Sequence, residues 1–248
     1  MLPTSDIIGW LTQSIRQIER AHWKPARDTT ALPSGVTALD SLLQAGGIPR
    51  CGLIEWLSPS PGSGTMTMAL TLARLMPIRT GVWVYIDRHG DLHPTALRQL
   101  GINLDRVVVV RPPDPRDVLW CWEQSLRSRG VAIVLGDVER LPQAAARRLQ
   151  LAAETGGTLG FLTRPIRMQT QPTWATQRWI VSPSPVTNEN TDRGWRLELL
   201  RAKDQWTGGV VNVELSDDKQ HDNKSNEHLS GVRLVSQLAD PTTPARAA

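Results

Sequence analysis

Two kinds of hydrophobic spacing alternate over residues 53–163. Short runs of consecutive apolar residues are typical of strands buried on both faces, and apolar residues recurring every three or four positions are typical of amphipathic helices. The runs predict strands at 53–57, 82–86, 107–110, 131–135 and 158–163. The stretches between them predict helices at 66–75, 94–100, 118–127 and 143–154. This order predicts an α/β fold, a mostly parallel β-sheet covered by helices on both faces.

The pattern changes towards both ends of the chain. Residues 5–23 have the spacing of an amphipathic helix, and a polar linker follows. Short apolar runs at 179–181, 195–200 and 210–215 predict a strand extension or hairpin. From Ser216 the chain is polar and is predicted to be disordered, apart from an apolar patch at 229–238. The predicted organisation is an N-terminal helix and linker (1–30), a core domain (31–215) and a tail (216–248).

Composition narrows the choice of protein class. The 248 residues carry 28 Lys and Arg against 24 Asp and Glu, a net charge of only +4, which fits scattered surface arginines as well as nucleic-acid contact. Two cysteines outside any Cys/His cluster predict neither a disulfide framework nor a metal site. No apolar stretch is long enough to span a membrane and no signal peptide is recognisable, so a cytoplasmic protein is expected. Ten Trp residues indicate core or interface packing.

The segment between the first strand and its helix occupies the place of a phosphate-binding P-loop. A working GxxxxGK[ST] loop needs glycines that let backbone N–H groups surround phosphate, a lysine that neutralises its charge and a hydroxyl that binds Mg²⁺. Serines replace both glycines, a glycine replaces the lysine, and only the final threonine is retained. The degenerate loop therefore contains Ser58, Gly62, Ser63, Gly64 and Thr65. A strand-to-helix turn that keeps only its shape and a loop that still holds an anion are both compatible with these residues.

Several segments resemble RecA recombinases. LPSGVTALDSLLQAGGIPRCGLIEW (32–56) is similar to the sequence that leads into their P-loop, and YIDRHGDLHP (85–94) followed by LGINLDR (100–106) is similar to their next block. Two further segments, LWCWEQSLRS (119–128) and RRLQLAAETGGTLGFLTRP (147–165), resemble the ImuA branch, RecA-like accessory proteins of damage-induced translesion synthesis. The resemblance covers residues 32–215 and implies a RecA-like fold.

The resemblance also implies that the catalytic groups are lost. The glutamate that activates water in recombinases falls at His89, and the metal-binding aspartate falls at Gly136. Asp137 comes one residue later, so its side chain is expected on the opposite face of the strand. Without lysine, glutamate and aspartate, we expect no ATP hydrolysis, no cofactor and no metal.

Recombinases contact DNA through two loops, and both are short here. Around the second, Arg164, Arg167, Trp174 and Arg178 combine cations with an aromatic ring, which predicts weak contact with single-stranded DNA. Arg201 and Lys203 resemble the paired cations that recombinases extend to a neighbouring subunit, and they are candidates for binding an acidic partner.

The expected function is that of a non-catalytic accessory protein of translesion DNA synthesis in the SOS response. The resemblance implies two partners, a Y-family-like polymerase subunit and an error-prone replicative-type polymerase. The N-terminal helix is expected to pack on a neighbouring RecA-like domain, on its own domain or on a partner, so it is a candidate for self-association. Val232, Leu234 and Leu238 in the tail are candidates for partner contact. Two alternatives stay open: a weak ATP-dependent DNA-binding protein and a SulA-like cell-division inhibitor.

Overall fold

The computed structural model describes residues 31–78, 80–186, 191–202, 208–218 and 231–238. In this part of the chain the strands form one nine-stranded sheet in the order β3-β2-β4-β5-β1-β6-β7-β8-β9. The first six strands are β1 (Gly52–Ser58), β2 (Val82–Ile86), β3 (Val107–Val110), β4 (Val131–Asp137), β5 (Leu159–Pro165) and β6 (Gln177–Ser184). The last three are β7 (Thr191–Ala202), β8 (Val210–Asp218) and β9 (Gly231–Leu238).

The sheet divides into a parallel and an antiparallel part. Strands β3, β2, β4, β5, β1 and β6 run parallel to one another, and α-helices lie in the connections from β1 through to β5. Strands β7, β8 and β9 continue the sheet from β6 as an antiparallel meander. The carboxyl ends of β1, β2 and β4 lie at one edge, which is where ligands bind in open α/β sheets.

Helices cover both faces of the sheet. They are α1 (Thr37–Leu42), α2 (Thr65–Leu75), α3 (Pro94–Gln99), α4 (Val118–Arg127) and α5 (Gln143–Gly156). One hydrophobic core contains residues of α1, α2 and α3, and a second contains residues of α4 and α5. We call the two sides of the sheet the α2 face and the α5 face. Along β4 the side chains alternate, because Ile133 and Leu135 belong to the α2-face core and Val134 to the α5-face core.

Tryptophans fill much of the interior. Trp56 packs edge-on against Phe161 with ring centroids 5.3 Å apart and stacks on Trp179 at 6.1 Å. Trp122 and Trp195 are also fully buried. These rings account for part of the unusual Trp content through core packing, as the composition predicted.

The predicted α/β architecture is confirmed, with differences near the ends. The predicted N-terminal helix (1–30) lies outside the described residues. The core boundary at 215 needs correction, because β8 continues to Asp218 and residues 231–238, assigned to the tail, form β9 paired with β8. The backbone of this apolar patch therefore extends the sheet, where each new strand satisfies hydrogen-bonding groups of the preceding one.

Candidate functional site: the closed phosphate loop and the buried arginine cluster

The phosphate loop is closed by hydrogen bonds between its own side chains. The Oγ atoms of Ser58 and Ser63 lie 2.8 Å apart, and Ser63 Oγ lies 2.9 Å from Thr65 Oγ1. Ser58 also donates to the carbonyl of Ser60 at 2.7 Å. Ser63 and Thr65 are only 7% and 4% exposed. The one hydroxyl retained from a working P-loop is therefore buried and hydrogen-bonded within the protein.

Trp195 closes the position that a P-loop lysine would occupy. Gly64, the N-cap of α2, has φ of 78°, a left-handed conformation that favours glycine. A Cβ atom built at this residue would lie 2.7 Å from Nε1 of Trp195, and that indole is fully buried in β7. By contrast, a Cβ at Gly62 would meet nothing within 4 Å. A lysine at residue 64 would therefore begin inside the volume of the tryptophan.

The two other positions at which the sequence analysis expected a lost catalytic group are His89, just beyond the end of β2, and Gly136, near the end of β4. A Cβ at Gly136 would lie 2.8 Å from the carbonyl oxygen of Ile86 and 3.3 Å from the Trp122 ring, which leaves no room for a carboxylate. Residue 136 faces α4, where Trp122 occupies the space. Asp137 lies on the opposite, α2 face by the alternation of the strand, as the sequence predicted.

His89 and Asp137 face each other across the strand ends. His89 Nε2 lies 3.4 Å from Asp137 Oδ2, and both side chains are partly exposed. Nearby, the Asp87 carboxylate is buried and accepts a hydrogen bond from Arg111 Nε at 2.8 Å. Burial opposes ionisation of Asp87, but the hydrogen bonds from Arg111 and from the Asp91 backbone outweigh it and lower its pKa. The Asp87 carboxylate is thus paired with Arg111 within the protein.

Two of the arginines predicted to contact DNA are buried. Arg164 in β5 and Arg178 in β6 are 2% and 4% exposed, and both bind Glu55, which is 1% exposed in β1. Arg164 Nη1 lies 3.3 Å from Glu55 Oε1, and Arg178 Nε donates to Oε2 at 2.7 Å. The prediction of DNA contact by these two residues is therefore wrong. Glu55 lies inside the sheet beside them, and a buried carboxylate requires compensating cations.

This Glu55 cluster also holds the loop between β5 and β6. Arg178 Nη1 donates to the carbonyls of Gln169 and Gln171, both at 2.8 Å, and the Thr173 hydroxyl donates to Glu55 Oε1 at 2.8 Å. Burial lowers the pKa of the Arg164 guanidinium, while Glu55 favours its charged form. The loop between β5 and β6 is thus anchored at several points to a buried ionic cluster.

The remaining predicted contact residues lie on the surface or outside the described residues. Arg167 forms an exposed ion pair with Glu139, and Trp174 is 43% exposed. Arg201 is exposed on β7, whereas Lys203 lies outside the described residues. The candidates Val232, Leu234 and Leu238 pair with β8 through their backbones, opposite Asp217, Leu215 and Val211 respectively.

Two residues of the site were missed from the sequence. Glu55 interrupts the apolar run of β1. A charged residue within a buried strand needs partners of opposite charge, so this interruption could have indicated a buried ionic cluster. Trp195 gives no local signal, because its contact with Gly64 joins residues 131 positions apart in the chain. In the described part of the chain, no group of three or more His, Cys, Asp or Glu residues could hold a metal ion. None of the helices described is long and apolar enough to cross a membrane.

Comparison with known proteins agrees with this fold. Residues 13–154 match the RecA N-terminal domain family. Protein ImuA from Caulobacter vibrioides (strain NA1000 / CB15N) is 30% identical over 232 residues, which cover 86% of this chain and 91% of that protein. Protein RecA from Cutibacterium acnes is 30% identical over 146 residues, 55% of this chain and 42% of that protein. Protein RecA from Bifidobacterium breve is 28% identical over 136 residues, 51% of this chain and 34% of that protein. The chain therefore belongs to the ImuA branch of the RecA-like superfamily, which associates it with the response to DNA damage.

Proposed function

We propose that this protein is a non-catalytic accessory subunit of translesion DNA synthesis that binds a Y-family-like polymerase subunit and an error-prone replicative-type polymerase. In this proposal the RecA-like domain is a rigid docking platform. It binds no nucleotide and hydrolyses none.

The contact between Gly64 and Trp195 carries the proposal. Phosphoryl transfer depends on electrostatic stabilisation of the transferred group, and the P-loop lysine is one of its main sources. Here that side chain is absent, and a buried indole lies 2.7 Å from where its Cβ would be. The hydroxyls of Ser63 and Thr65 are hydrogen-bonded to each other at 2.9 Å. A loop satisfied in this way gains little by binding a polyphosphate.

The buried arginines support a docking role over a DNA-processing one. A mobile DNA-binding loop needs exposed cations and conformational freedom, whereas Arg164 and Arg178 are buried and hold the loop backbone. A rigid surface favours protein binding, because less conformational entropy is lost when the complex forms.

A complex-formation experiment tests the proposal. The full-length chain and the Y-family-like polymerase subunit of the same genome are purified separately, and their affinity is measured with and without Mg²⁺-ATP. We expect a stable complex whose Kd is the same under both conditions, because no nucleotide enters the loop. Absence of a complex, or an affinity that changes about tenfold with ATP, would contradict the proposal.

One observation favours a second candidate, a weak ATP-dependent DNA-binding protein. Asp137 keeps a carboxylate on the α2 face of the sheet, with His89 at 3.4 Å. Such a pair is a candidate acid–base group if nucleotide enters the site. ATP binding that is lost in an Asp137→Asn variant would favour this candidate over the docking role.

A further inference from the structure

Three exposed side chains form a small surface beside α5. Leu151 is 51% exposed and Trp174 is 43% exposed. Arg147 lies one helical turn before Leu151, and its guanidinium carbon is 5.2 Å from the centroid of the Trp174 ring. Arg147 therefore joins the two apolar groups. We call Arg147, Leu151 and Trp174 the α5 surface.

The Glu55 cluster anchors the chain on both sides of Trp174. Thr173 and Ala175, its neighbours in the chain, are both buried. The Thr173 hydroxyl donates to Glu55 and accepts a hydrogen bond from the Ala175 backbone at 3.0 Å. An exposed aromatic ring on an anchored loop loses little freedom on binding, and this preorganisation favours affinity.

The charges near the α5 surface favour a protein ligand over nucleic acid. Arg148 pairs with Glu123 at 3.4 Å and Arg167 pairs with Glu139, so these two cations are already neutralised. No ion pair joins Arg147 to a carboxylate of the described residues. Single-stranded nucleic acid needs a row of free cations along its backbone. Arg147, beside Leu151 and Trp174, is instead complementary to a ligand that has a carboxylate next to an apolar side chain.

A carboxylate near the other end of the α5 surface sets the orientation of the ligand along the helix. Glu154 lies one turn beyond Leu151 on α5, and it accepts a hydrogen bond from Gln150 Nε2 at 2.8 Å. A second carboxylate at that end would be repelled. The acidic group of a ligand is therefore expected at the Arg147 end and its apolar group towards Leu151.

We propose that the α5 surface is a docking site for an acidic segment of a partner protein, with a carboxylate on Arg147 and an apolar side chain against Leu151 and Trp174. This inference rests on the proposed function, and it places the polymerase subunit's contact on α5. Small clusters of aromatic and arginine side chains commonly carry most of the energy of an interface.

The test measures the affinity of full-length variants for the purified Y-family-like polymerase subunit. Leu151→Asp and Arg147→Glu should each weaken binding at least about tenfold, whereas Arg147→Lys, which keeps the charge, should retain most of the affinity. The matched controls are Trp120→Asp, at an apolar residue 48% exposed on α4, and Arg98→Glu, at an exposed arginine on α3. Both should change the affinity less than about twofold, and all variants should keep the wild-type melting temperature, because every substituted residue is exposed.

Competition identifies the chemistry of the ligand. Synthetic peptides covering the acidic segments of the polymerase subunit should include one that competes for wild-type protein but not for Arg147→Glu. A 20-nucleotide oligothymidylate serves as the nucleic-acid probe and should not compete.

Each contrary outcome has a distinct meaning. Wild-type affinity in Leu151→Asp and Arg147→Glu would overturn the α5 site and leave the proposed function standing. No binding by the wild-type chain would overturn both. Competition by oligothymidylate, lost in Arg147→Glu, would show a nucleic-acid site and overturn the protein ligand, as would failure of every acidic peptide to compete.

Discussion

Replacing Glu55 by glutamine should destabilise the protein by about 3–5 kcal/mol, the range measured when one partner of a buried ion pair is removed. Glu55 is the carboxylate between two guanidinium groups that are 2% and 4% exposed. A glutamine keeps the size of the side chain but leaves Arg164 and Arg178 buried without a counter-charge. The total unfolding free energy of a domain is about 5–15 kcal/mol, so the loss is a large part of it.

Chemical denaturation measures this loss directly. For a chain of this size about 1 kcal/mol corresponds to a shift of about 2–4 °C in Tm, so the variant should melt roughly 6–20 °C lower. Glu123→Gln is the matched control, because Glu123 pairs with Arg127 and Arg148, whose side chains are 56% and 63% exposed. Solvent screens such pairs, and the control should lose at most about 1 kcal/mol.

The same substitution should loosen the loop between β5 and β6. Glu55 accepts the Thr173 hydroxyl and orients Arg178, which in turn holds the Gln169 and Gln171 carbonyls. Trypsin should therefore cleave after Arg167 faster in Glu55→Gln than in Glu123→Gln under conditions where both proteins are folded. A loss of less than about 1 kcal/mol in Glu55→Gln, with unchanged cleavage, would refute the reasoning that an ionic cluster holds this loop.

Three other predictions follow from single contacts. Gly64→Ala should cost about 1–3 kcal/mol more unfolding free energy than Gly62→Ala, because both glycines have positive φ (78° and 80°) but only the first adds a Cβ that meets Trp195; equal losses would contradict the closed loop. Asp87→Asn should lower the free energy of unfolding at pH 7. This difference should shrink below about pH 4, because the stabilisation from a lowered pKa is lost once the native carboxylate is protonated. A pH-independent difference in urea denaturation would argue against this prediction. Deleting residues 231–248 should lower Tm and promote self-association, because the edge of β8 loses its partner; an unchanged Tm and sedimentation coefficient would show that β9 adds nothing to the sheet.

The parallel part of the fold could be predicted from the sequence because its signals are local. Consecutive apolar residues in 82–86 and 107–110 predicted β2 and β3 with their observed bounds. The end of β4 was missed, because Gly136 and Asp137 interrupt the apolar run although the backbone continues the ladder. β9 was missed because its pairing with β8 depends on a contact across a polar segment, and no local pattern reports such a contact.

The part of the candidate site that follows a sequence motif could be predicted, whereas the part that depends on which side chains are buried could not. The departures from the P-loop pattern at 58–65 could be identified by spacing alone, and the structure adds the hydrogen bonds between their side chains. Arg164 and Arg178 were misassigned because a charged residue is usually exposed, and only their pairing with Glu55 in neighbouring strands reveals them as buried. The sequence shows that residues 164 and 178 are arginines, but the fold of β5 and β6 decides whether their side chains point into the protein or into solvent.

ATP turnover by the purified full-length protein, measured with Mg²⁺ and single-stranded DNA, tests the central claim most directly. The closed loop predicts no turnover above a buffer control, for the wild-type protein and for Gly64→Lys alike, because Trp195 occupies the space beside residue 64. Saturable, DNA-stimulated hydrolysis that disappears in Thr65→Ala would contradict it, since such activity would show that the loop opens and binds a metal–nucleotide complex.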